Sequence, residues 1–63
     1  MRLTKVGGEC DEGTCPAIFK TDRGTYVVQG SKVVEEHGLE IPDHETIAEI
    51  PEELLRQVAR DLA

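Results

Sequence analysis

The apolar positions change rhythm along the chain. Toward the N-terminus they alternate in short runs, and toward the C-terminus they recur every three or four residues. Met1 to Val6 alternates enough for a short first strand with Leu3 as its main apolar residue, and Gly7-Gly8 break it. Glu9 to Pro16 reads E-C-D-E-G-T-C-P and is a loop by composition. Ala17 to Thr21 and Thr25 to Gln29 are both rich in β-formers, with Asp22-Arg23-Gly24 between them. Asp suits the start of a type I turn and Gly the left-handed position after it, so this pair reads as a hairpin. Such a turn opposes Phe19 to Val27 and Ile18 to Val28, with Tyr26 beside Val28. Both hairpin faces then carry apolar side chains and ask for cover.

Gly30-Ser31 punctuates again. Ser31 suits the cap of a short helix over Lys32 to His37, with Gly38 as its left-handed stop and Leu39 packing back. Val33 and Val34 argue for a strand over the same residues. Ile41 to His44 is a connector. Glu45 to Ile50 alternates as a last short strand, with Thr46, Ala48 and Ile50 on one face. From Pro51 the period is helical. Proline fits the first turn, Glu52 and Glu53 favour the positive end of the helix dipole, and Arg60 favours the negative end. Leu54, Leu55, Val58, Ala59 and Leu62 form an apolar stripe that either roofs this domain's sheet or docks into another protein.

These elements predict one α+β domain over residues 1–63. A small antiparallel sheet of three or four strands carries the C-terminal amphipathic helix on one face. The expected core is Leu3, Val6, Ile18, Phe19, Val27, Val28, Val33, Ile47, Ile50, Leu54, Leu55, Val58 and Leu62.

Size and charge narrow the function classes. A 63-residue chain buries only about 60% of its unfolded surface, so a disulfide, a metal or a partner is the expected supplement. The formal net charge of −6 argues against direct nucleic-acid binding, which needs clustered Lys and Arg. No apolar run reaches the roughly 18 residues of a membrane span, and nothing resembles a secretory signal. The expected compartment is the cytoplasm. Four of the seven basic residues, Arg2, Lys5, Lys20 and Arg23, lie early in the chain. The negative charge therefore concentrates in the C-terminal half, and an acidic face of this kind steers a protein toward basic partners.

The candidate chemistry is sparse. Cys10 and Cys15 form a C-x4-C pair in an acidic loop. The spacing suits a loop-closing disulfide or thiol switch, two zinc ligands, or two buried free thiols. With His37 and His44 the pair makes a Cys2His2 set, C-x4-C-x21-H-x6-H, which departs from the zinc-finger spacing. Zinc is the one cofactor this set suggests. Glu9, Asp11 and Glu12 disfavour the thiolate that a cysteine nucleophile needs. Gly7-Gly8 is followed by acidic residues and lacks a P-loop lysine. The carboxylates are dispersed and do not follow a calcium-loop pattern. No catalytic residue emerges, and the chain is expected not to be an enzyme.

The block Cys15 to Gly30, C-P-A-I-F-K-T-D-R-G-T-Y-V-V-Q-G, resembles the core of a group of short acidic actinobacterial proteins. Their pattern is C-P-T-x-[YF]-[KR]-T-D-R-G-T-x-V-V-Q-G, with an earlier cysteine in a glycine-containing loop and a closing E-[IV]-P-E-x-L. Here Cys10, Gly13 and Cys15 match the loop, and Glu49 to Leu54 matches the close. Ala17 stands where the group has Thr. The resemblance spans most of the chain and carries over no catalytic residue. Members are often encoded beside helix-turn-helix regulators, which implies an accessory or antagonist of such a DNA-binding protein.

The expected function is thus a non-enzymatic protein-interaction module with a regulatory role. Its contact residues are Lys20, Arg23 and Tyr26 on the sheet and Glu35 and Glu36 on the acidic half. The expected partner is a protein such as a helix-turn-helix regulator, and a homodimer is one way to cover the second hairpin face. The alternative is a small zinc-binding or thiol-switch domain built on Cys10 and Cys15.

Overall fold

A computed structural model describes residues 1–8 and 15–62. The order is β1 (Leu3–Gly7), β2 (Ala17–Thr21), β3 (Tyr26–Gln29), β4 (Ser31–Lys32), β5 (Ala48–Glu49) and α1 (Glu52–Leu62). β1, β2 and β3 form an antiparallel sheet with β2 in the centre. β4 and β5 pair separately, Ser31 with Glu49 and Lys32 with Ala48. The expected small antiparallel α+β fold with a C-terminal helix is what the chain adopts, its strands divided between two sheets.

The hairpin forms in the expected register, Phe19 opposite Val27 and Ile18 opposite Val28. Its turn is closed by the Thr21 N–H, which donates to the Thr25 carbonyl at 2.9 Å. Gly24 takes a φ of 77° and no non-glycine residue among the described ones has positive φ, so Arg23 escapes the left-handed strain. The buried Thr21 holds the turn from within. Its Oγ1 accepts the N–H of Arg23 at 3.1 Å and of Thr25 at 3.2 Å. Those donors fill its lone pairs, leaving its own proton for the Thr25 hydroxyl 2.7 Å away.

β1 reaches one residue beyond the expected Val6 and ends in a bulge. Lys5 faces Phe19 and Gly7 faces Ile18, so Val6 is the extra residue. The bulge brings Val6 to the core and Gly7 under the helix. A Cβ on Gly7 would collide with the Val58 side chain and lie 3.1 Å from Leu54 Cδ1. The missing side chain is what lets α1 approach β1. The helix itself follows Pro51, whose carbonyl accepts the Leu54 N–H at 3.1 Å, one residue later than expected. Glu52 and Arg56 form an i,i+4 ion pair on its outer surface.

The core is smaller than the apolar pattern predicts. Ile18 (5% exposed), Leu54 and Val58 form it, with Val6 and Ile50 packed at its margin. Phe19, Val27, Val33 and Ile47 are half-buried. Leu3, Val28, Leu55 and Leu62 were expected inside and are exposed. A single helix laid against the β1 end of a narrow sheet covers only one of its own flanks and leaves the far strand open. The radius of gyration, 12.7 Å, exceeds the roughly 10.6 Å of a tightly packed chain of this length.

The expected helix over Lys32 to His37 does not form. Ser31 and Lys32 are engaged by β5, Val34 is 80% exposed, and adjacent Glu35 and Glu36 repel. A turn or two of helix without a buried face does not repay nucleation. Gly38 is left-handed as expected, with φ of 74°, but in a local turn. There the Leu39 N–H donates to His37 Nδ1 at 2.9 Å. The last strand shrinks to Ala48–Glu49, and Pro42 to Glu45 becomes a turn closed by the Glu45 N–H on the Pro42 carbonyl at 3.0 Å.

Candidate interaction surfaces

The hairpin lifts three of the expected contact residues onto one end of the sheet. Lys20 and Tyr26 are cross-strand partners, and Arg23 projects from the turn that follows. All three are exposed, Tyr26 at 43%. Among the described residues the Arg23 guanidinium reaches only the Met1 sulfur, 3.8 Å away. Neither cation has an ion pair among the described residues. Val28 stands two residues from Tyr26 on the same face and is 44% exposed.

Glu35 and Glu36 lie elsewhere, in the irregular segment between β4 and β5. That segment carries Glu35, Glu36, Glu40, Asp43, Glu45 and Glu49 and no Lys or Arg from residue 33 to 49. Every one of these carboxylates is exposed. None pairs with a Lys or Arg among the described residues. His44 Nε2 lies 3.8 Å from the Glu45 carboxylate. Glu35 and Glu36 border a shallow depression together with Val33, His37, Leu39 and Ile47. The expected basic contact residues thus belong to the β2–β3 hairpin and the acidic ones to the segment between β4 and β5.

A third feature is a cleft of about 370 Å³ beside the helix start, lined by Gly8, Cys15, Pro16, Pro51, Leu54 and Gln57 among others. Cys15 is disulfide-bonded, and Cys10 lies outside the described residues. A half-cystine has no thiolate to give a metal. Cys15, His37 and His44 are not gathered into one group, and no cluster of three or more His, Cys, Asp or Glu side chains able to hold a metal ion occurs among the described residues. Among those residues no helix is long and apolar enough to cross a membrane.

The residue pattern hides two features that the structure exposes. Leu55, Ala59 and Leu62, expected as part of the roof, form an open stripe along α1. The outer edge of β3 pairs with no strand among the described residues. The available signal was charge, since Gly24 to Ser31 contains no charged residue in a chain otherwise dense with them. Compared with protein-family models, curated proteins and solved structures, the chain matches none.

Proposed function

We propose that this protein is a non-enzymatic interaction module whose acidic segment, residues 33–49, occupies the basic surface of a DNA-binding regulator. The supporting observation is the segregation of charge: exposed carboxylates without a Lys or Arg partner among the described residues are gathered on one segment, while Lys20 and Arg23 stand on the hairpin. Unpaired surface carboxylates contribute little to folding and much to the field a basic partner meets. The resemblance of Cys15 to Gly30 to proteins often encoded beside helix-turn-helix regulators suggests the partner class. The module acts by occupancy, competing with phosphate for the regulator's cations.

The test is titration calorimetry against a purified helix-turn-helix DNA-binding domain at low and moderate salt, with displacement of labelled operator DNA as a second readout. Binding should weaken as salt rises, release the DNA, and fall at least tenfold in the Glu35→Lys, Glu36→Lys double variant. Binding indifferent to salt and to that variant would overturn the reading.

A second reading has its own support in the disulfide-bonded state of Cys15. It makes Cys10 and Cys15 a redox-responsive staple beside the helix start. Intact mass about 2 Da below that of the reduced chain, with a fall in melting temperature on reduction, is the expected result. Two titratable thiols in protein purified without reductant would remove it.

A further inference from the structure

We infer that the outer edge of β3 is a strand-addition site for an extended acidic segment of a partner protein. Antiparallel ladders alternate bonded and non-bonded pairs. The Thr21–Thr25 bond sets the phase, so Val27 and Gln29 bond to β2, whereas the N–H and C=O groups of Tyr26 and Val28 point outward. β3 is an edge of its sheet, and no hydrogen bond among the described residues engages those outward groups. Exposed edges are usually blunted by Lys, Pro or a bulge. The opposite edge, β1, carries Lys5, a bulge and the packed helix. β3 has none of these devices, and the same two residues that offer backbone groups also offer the exposed Tyr26 and Val28 side chains.

The chemistry of the occupant follows from the neighbouring charge. Lys20, beside Tyr26 on the same face, and Arg23, at the turn, are exposed and lack ion pairs among the described residues. A strand added to β3 would run beside the turn that carries Arg23 and lie two strand spacings, about 10 Å, from Lys20 in β2, a gap that long side chains can span, so its matching residues near the turn are Asp or Glu. Main-chain bonds supply affinity and the cations supply selectivity, which is the logic of β-augmentation. This site is independent of the 33–49 segment and stands if that reading fails.

The experiment uses the 15N-labelled full chain and two capped nonapeptides of alternating Val and Thr, one ending in three Glu and the other in three Lys. The Glu peptide should shift the amides of Tyr26 to Gln29, slow hydrogen exchange at Tyr26 and Val28, and bind at least tenfold tighter than the Lys peptide. Val28→Pro should abolish binding and leave the hairpin intact, because the N–H it removes is not used by β2. If that variant fails to fold, the Lys20→Glu, Arg23→Glu double variant decides by reversing the peptide preference. Equal binding of the two peptides, shifts confined to other surfaces, or protection of the same amides by dimerisation without peptide would each overturn the proposal.

Discussion

Thr21 shows how one buried hydroxyl organises the hairpin. It satisfies two backbone donors of the turn and hands its proton to Thr25, and no buried side-chain polar atom is left unpaired among the described residues. Thr21→Val keeps the shape and deletes every one of these bonds. The expected loss is about 1–3 kcal/mol, read as a lower denaturation midpoint with an unchanged slope. Thr25→Val, at an exposed position, should cost less. Gly7 is the second residue of this kind. Gly7→Ala drives a methyl into Val58 and should destabilise by about 1–3 kcal/mol through overpacking, whereas Ala at an open position of a strand would stabilise. The turn glycine was legible from Asp22-Arg23-Gly24, since only local backbone geometry is at stake. The demand at Gly7 was not, because it comes from a helix that packs there from the other end of the chain.

At the scale of elements, α1 separates two meanings of one apolar stripe. Leu54 and Val58 face Gly7 and Ile18, whereas Leu55 and Leu62 stay 57% and 60% exposed. Leu54→Ala should cost about 2–4 kcal/mol, a large part of what a chain this size has to lose. Leu55→Ala should stay within about 0.5 kcal/mol. Thermal melting of the two variants distinguishes them, and comparable losses would mean that Leu55 is covered by a second chain in solution. Period alone reports that a face is apolar; how wide a surface is available to receive it depends on the sheet. The same limit explains the segment after β4. Ser31, Val33 and Gly38 carry genuine local signals for a cap, a strand and a stop, and pairing with β5 decided among them.

For the whole molecule, charge is the property that remains after packing is accounted for. Six carboxylates on residues 33–49 repel one another, and the net charge is −6. Raising salt from roughly 10 mM to roughly 150 mM shortens the screening length from about 30 Å to about 8 Å. The melting temperature should therefore rise, since repulsion in the compact state is relieved more than in the expanded one. A fall would mean that the helix-surface pairs Glu52–Arg56 and Glu53–Arg60 outweigh the repulsion. The same field that weakens the fold at low salt is what would draw in a basic partner.

The sequence by itself determined the local elements: the hairpin and its register, the turn glycine, the helix behind Pro51 and the uneven distribution of charge. Each depends on neighbours within a few residues, or on composition, which folding does not alter. Tertiary structure decided which apolar side chains are covered, that β4 and β5 form their own sheet, that Gly7 must lack a side chain, and that β3 has an edge which no strand among the described residues pairs with. Those outcomes turn on surfaces brought together from distant parts of the chain. The covered area there is set by the size and placement of one helix, which no local pattern specifies.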